Sequence, residues 1–102
     1  MSSTLPITVD FSGGAELLCN NVKSHKIELP LSSDAKWTLK SLVFWIRDNL
    51  IKDKPELFVM DGTVRPGILV LVNDTDWELL GCMDYALQAN DCVTFISTLH
   101  GG

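Results

Sequence analysis

The sequence predicts an α+β fold, a mixed sheet of about five strands packed on one main helix, and three patterns carry that expectation. Apolar and polar residues alternate from Ile7 to Phe11 and again from Cys92 to Leu99, the period of a half-buried strand. Leu39, Leu42, Val43, Ile46 and Leu50 instead recur at helical spacing and form one apolar stripe. Between helix and terminus lies the β-branched apolar run Ile68 to Val72.

The first strand, Ile7 to Phe11, is followed by the turn residues Ser12, Gly13 and Gly14. A second strand from His25 to Leu29 puts Ile27 and Leu29 on one face and Lys26 and Glu28 on the other. The two read as a hairpin with a longish loop. Pro30 and the polar stretch Ser32 to Asp34 break the pattern before the helix. Thr38 is the candidate N-cap, with Trp37 and Leu42 at the two positions of a hydrophobic staple. A start near Ser33 or Asp34 is the competing boundary, and Pro55 ends any helical continuation beyond Lys54.

Ile68 to Val72 reads as a strand buried on both faces, because it is apolar without alternation. Asn73 to Asp76 is the turn that follows, and a short strand returns from Trp77 to Leu80, closed by Gly81. Met83 to Leu87 reads as a compact turn or single helical turn, and Gln88 to Asp91 as a polar break before the last strand, Cys92 to Leu99. Strand, strand, helix, strand, short strand, strand is the order of the β-grasp arrangement.

A chain of 102 residues, 46% apolar and 21% charged, suits one domain over residues 1–102 with a single core. No basic and apolar leader follows Met1, and no apolar run approaches the ~20 residues of a membrane span; the expectation is a cytoplasmic protein, nuclear presence allowed, with no membrane partner. Cys19, Cys82 and Cys92 lack the close spacing of a metal knuckle or a redox pair, so they read as free core or half-core thiols. Thirteen acidic residues against eight basic ones give a formal charge of −5. A surface of that sign meets polyanions with net repulsion, so no direct nucleic-acid binding is expected.

Asp74, Asp76 and Glu78 alternate at a turn without the glycine of a calcium loop and read as solvated carboxylates, so no metal site is expected. Asn73-Asp74-Thr75 matches a glycosylation sequon that an intracellular chain would not use. His25 and His100 have no motif partner for acid or base work. With no catalytic constellation in view, the chain reads as a protein cosubstrate and not as an enzyme. Among the three tryptophans, Trp77 is the candidate for docking a partner, with Leu99 and His100 beside the end of the chain as further binding candidates.

The remaining feature is the terminus, Gly101-Gly102, directly after the predicted last strand. A carboxylate that must enter another protein's nucleotide site needs a narrow, extended approach, and glycines supply it because no Cβ obstructs the backbone. Residues 98–102, read as an extended reactive tail, span at most ~17 Å.

Two segments, GILVLVNDTDWELLG from Gly67 to Gly81 and DCVTFISTLHGG from Asp91 to Gly102, resemble the ubiquitin-related modifier family, eukaryotic sulfur carriers and protein modifiers of the ubiquitin-like β-grasp superfamily. The resemblance runs over most of the chain. Its tail differs from the basic Leu-Arg-Leu-Arg-Gly-Gly end of ubiquitin and from the proline-bearing ends of molybdopterin-synthase small subunits. It implies that Gly102 is adenylated by a ubiquitin-activating-type adenylyltransferase with a rhodanese-like domain, which uses ATP and then forms a thiocarboxylate. From there, sulfur would pass to a tRNA wobble uridine through a separate thiolase complex, or the terminus would join target-protein lysines through isopeptide bonds. The encoded end would already be the reactive end, with Gly101 as its steric companion. The chain itself would bind no cofactor. A non-covalent ubiquitin-like adaptor is the alternative reading.

Overall fold

A computed structural model describes residues 4–31, 36–52 and 54–97. Alternation builds the first hairpin: β1 (Thr4–Ser12) runs antiparallel to β2 (Ser24–Pro30), with Ile7 opposite Ile27 and Leu5 opposite Leu29. Both strands extend beyond the alternating core of the pattern. Their loop contains a 3₁₀ turn, Ala15–Cys19, which buries Ala15 and Cys19.

The one α-helix among the described residues, α1 (Leu39–Asn49), starts at the cap that its sequence offers. Thr38 has extended backbone and accepts the Ser41 N–H, while the Ser41 hydroxyl accepts the Thr38 N–H at 2.9 Å. This reciprocal pair satisfies two amide donors that the first helical turn leaves open. Leu39, Leu42, Val43 and Ile46 are fully buried, and Leu50 is the C-cap. The helix therefore ends before Pro55, which instead opens a short 3₁₀ turn, Pro55–Leu57. After it come the two-residue strands β3 (Val59–Met60) and β4 (Thr63–Val64), paired as a separate small hairpin.

The main sheet has the order β2-β1-β7-β5-β6, where β5 is Ile68–Val72, β6 is Thr75–Asp76 and β7 is Cys92–Ser97. β7 runs parallel to β1 and antiparallel to β5, so the sheet is mixed and the last strand lies at its centre. Inward-facing Ile7, Val9, Phe11, Val70, Val72, Val93 and Phe95 form one core with the buried stripe of α1. Phe58, from the irregular segment after the helix, is fully buried in an aromatic cluster, 5.2 Å from Phe95 and 6.3 Å from Phe11 between ring centroids. No helix of the described residues is long and apolar enough to cross a membrane.

Two sequence expectations are corrected. β5 is not buried on both faces: Val70 and Val72 are buried, but Leu69 is 49% exposed. The helix covers one face of the sheet only, and the apolar run is two-sided because its outer side chains are apolar too. Nor is there a strand from Trp77 to Leu80. Asn73 and Asp74 both take positive φ, 51° and 68°, so the chain reverses within two residues and pairs again at once as Thr75–Asp76. The Asp76 carboxylate then accepts the Glu78 N–H at 2.9 Å and caps a 3₁₀ turn, Trp77–Leu79. A side chain holding that amide ends the ladder. The compact or single helical turn expected at Met83 to Leu87 is a three-residue 3₁₀ turn that starts one residue earlier, Cys82–Asp84.

Candidate functional site

β7 is the strand that leads to the terminus. Its alternation turns Val93 and Phe95 into the core and leaves Cys92, Thr94 and Ile96 half-buried on the open face. Ser12 of β1 lies beside Ile96, and Ile68 of β5 lies opposite Ser97. Gly101 and Gly102, with Leu99 and His100, are outside the described residues, as is the whole segment 98–102. Ser97 is thus the last described residue of the strand.

Around that point the open face is apolar. Leu69 stands directly opposite Ile96, and Leu71 follows it on the same face opposite Thr94. Directly opposed side chains of an antiparallel pair are within contact reach, so Leu69, Ile96 and Leu71 make one short apolar ridge. Thr94, Ser12 and Asp10 border it on the β1 side. No alternation marks Leu69 and Leu71 as outward-facing; only the register with β7 does.

The cysteines differ in setting and are all free. Cys19 is buried, which pushes its thiol up to about 11. Cys92, on the open face, is raised by burial and by its hydrogen bond to Asp10, whose Oδ2 accepts from Sγ at 3.4 Å. Both thiols therefore stay protonated near neutral pH and are poor nucleophiles. His25 sits edge-on to Phe11, its ring centroid 5.6 Å away, with Nε2 3.2 Å from the Val22 carbonyl oxygen. That is a packing position.

Trp77 is half-buried and packs against the core from its 3₁₀ turn. The apolar side chain of that turn that faces solvent is Leu79, 79% exposed, which sequence reasoning missed. Trp37 and Trp45 are half-buried as well, Trp37 donating from Nε1 to the Pro30 carbonyl at 2.7 Å.

A buried carboxylate at the start of β7 also escaped sequence reading. Asp91 is 5% exposed and accepts from the Asn73 side-chain amide at 2.9 Å, the Tyr85 hydroxyl at 2.8 Å and the Gln88 N–H at 2.9 Å. Asn73 in turn accepts the Cys92 N–H through Oδ1 at 2.9 Å. The network ties the β5–β6 turn and the Tyr85 segment to the first residue of the exit strand. Burial, and then the Asp91 carboxylate, push the Tyr85 hydroxyl up to about 12.

One glycine shapes the other end of β7. Gly13 has φ +67°, and a Cβ built on it would lie 2.5 Å from the Ser97 carbonyl oxygen and 3.3 Å from the Ser97 nitrogen. A Cβ on Gly14, at φ +109°, would meet nothing within 4 Å. Sequence reasoning reads both as turn residues; only the parallel pairing of β1 with β7 separates them.

These features sit on a fold with known relatives. Residues 6–102 match the family model described as Urm1 (Ubiquitin related modifier). The chain is 57% identical to ubiquitin-related modifier 1 of Bos taurus over all of both chains. It is 58% identical to the homolog of Drosophila simulans over 96% of this chain and 95% of that one. The solution structure of Urm1 from Trypanosoma brucei superposes with a TM-score of 0.78 at 45% identity, covering the whole of both chains. A match through both resembling segments, at this identity and without a gap in coverage at the terminus, means that the chain belongs to the ubiquitin-related modifier family.

Proposed function

We propose that this chain is a sulfur carrier and protein modifier that works through its own end. A partner adenylyltransferase with a rhodanese-like domain adenylates the Gly102 carboxylate with ATP and converts the acyl-adenylate to a thiocarboxylate. The sulfur then passes through a tRNA thiolase complex to a wobble uridine, or the activated end joins target lysines through isopeptide bonds. ATP belongs to the partner, and this chain contributes no cofactor, no metal and no catalytic side chain of its own.

The observation that carries this reading is family membership over residues 6–102, which includes the Gly-Gly end. The chemistry agrees with it. A thiocarboxylate is ionised near neutral pH and presents sulfur, a better nucleophile than carboxylate oxygen. The ridge of Leu69, Leu71 and Ile96 borders the strand that leads to that end, and apolar side chains in that position suit a docking face. Leu99, His100 and Trp77 are the further contacts we assign to partners. An acidic chain, formally −5, leaves RNA binding to the thiolase, and three free cysteines suit a reducing cytoplasm.

The test is intact mass after incubation with the activating enzyme, ATP and a persulfide donor. The expected result is a gain equal to one oxygen replaced by sulfur, mapped to Gly102. Deleting Gly101 and Gly102 should abolish it and leave thermal stability nearly unchanged. No gain, with the enzyme shown active on another carrier, would favour the non-covalent adaptor.

A further inference from the structure

We infer that Gly13 is a positioning residue for the C-terminal tail: its missing side chain lets the end of β1 close on the peptide of Ser97, the residue to which the tail is joined. The kinetic part of this rests on the carrier reading given above, since only a tail that must be threaded into an enzyme needs a fixed point of departure.

The need for glycine here is steric as well as conformational. Gly13 is solvent-exposed, so core packing does not require a small residue. Its φ of +67° favours glycine, but asparagine takes similar angles in this chain, φ 56° at Asn20, 51° at Asn73 and 70° at Asn90. Backbone conformation alone would therefore admit another residue. The Ser97 carbonyl oxygen would not, because at 2.5 Å from a Cβ one of the two backbone segments must move. Ile96 Cγ2, 3.1 Å from the same point, belongs to a side chain that can turn aside. The Ser97 carbonyl cannot do so without rotating the peptide that joins it to Thr98.

β7 is held on both sides up to this position, by Ser12 beside Ile96 and by Ile68 opposite Ser97. A side chain at position 13 thus acts on the one peptide that lies between the fixed strand and the tail. Leu69 and Leu71 of the apolar ridge are not among the atoms that the added Cβ meets, and Ile96 answers it by turning within the ridge, so docking of the body should be largely kept while delivery of Gly102 is disturbed. Misplacement of a reacting group by about 1 Å can cost up to ~10²-fold in rate.

The experiment is ATP–pyrophosphate exchange by the activating enzyme with the full-length chain as substrate, at a temperature where melting curves show each variant folded. Gly13→Asn adds the Cβ with tolerated backbone angles, Gly13→Ala adds it with more strain, and Gly14→Ala brings strain without the contact. The expected result is a kcat lower by ~10-fold or more for both Gly13 variants, with KM for the carrier within about twofold of wild type, and little change in either for Gly14→Ala. The Ser97 amide resonance should move in Gly13→Asn and stay in Gly14→Ala. Wild-type kcat in folded Gly13→Asn, an equal loss in Gly14→Ala, or a loss carried wholly by KM would overturn the assignment. If wild-type chain gave no exchange, the carrier reading would fall and the kinetic role of Gly13 with it, whereas the Ser97 resonance would still read the contact by itself.

Discussion

Asp91→Asn isolates the buried carboxylate at the start of the exit strand with almost no change of volume. In the native network Oδ1 accepts from Asn73, and Oδ2 accepts from both the Tyr85 hydroxyl and the Gln88 N–H. An amide at position 91 must place its NH₂ at one of these two sites. At the first it meets the Asn73 NH₂, and Asn73 cannot flip without losing its acceptance of the Cys92 N–H. At the second the Tyr85 hydroxyl can turn and accept, but the Gln88 N–H then faces a donor. Either way one hydrogen bond to a charged acceptor is lost and one buried donor is left opposed, a cost of about 3 kcal/mol. Against a typical domain stability of ~5–15 kcal/mol this is a large fraction. Urea unfolding should show a lower midpoint with an unchanged slope, and the melting temperature should drop by roughly 10–20 °C. A loss below about 0.5 kcal/mol would refute the account of Asp91 as the acceptor that holds these three segments together.

Cys19 is raised from 9.0 to about 11 and Tyr85 from 10.0 to about 12, both above their unfolded values, so their contributions are fully present below pH 9 and 10 respectively and are lost as pH rises through the folded values. Urea midpoints should therefore fall progressively between pH 9 and 12, with Tyr85→Phe flattening the upper part of the decline; a flat profile would contradict both burials. On the open face, Leu69→Asp should change stability by less than about 0.5 kcal/mol, since Leu69 is 49% exposed. The same substitution should weaken binding of the activating enzyme by ~10-fold or more in calorimetry or surface binding, the loss expected when a charge is set into an apolar contact; unchanged binding would place docking elsewhere.

The parts of this fold that were legible in the sequence are those set by local pattern. Alternation gave β1, β2 and β7, the apolar stripe gave α1, and Thr38 was readable as its cap because a side-chain acceptor stands just before the stripe. What could not be read depended on partners distant in the chain. Phe58 carries no periodicity of its own, yet it completes the aromatic cluster with Phe11 and Phe95. The outward aspect of Leu69 and Leu71 follows from the helix covering one face only. The return strand was misplaced because two successive left-handed residues, Asn73 and Asp74, make a tighter reversal than four polar residues suggest. Of the candidate site, the strand that leads toward the Gly-Gly end is legible as an alternation, whereas Asp91 and Gly13 acquire their roles from Tyr85, Asn73 and Ser97, residues 6, 18 and 84 positions away.

The central place of β7 bears on the proposed use of the end that follows it. An edge strand exposes a row of unpaired amides and carbonyls that invites pairing with other chains, and an end leaving an edge could add to the sheet of a neighbour. β7 has a strand on each side, β1 parallel and β5 antiparallel, as far as Ile96 and Ser97. Its pairing with the two neighbours therefore runs to the end of the described strand. β1 stops at Ser12 and turns through Gly13 and Gly14, and β5 begins at Ile68, so both neighbours end within a residue or two of Ser97. The last described residues of β7 are thus held at the rim of the sheet with a neighbour on either side, which is the condition that the proposed delivery of a short segment by a docked body requires.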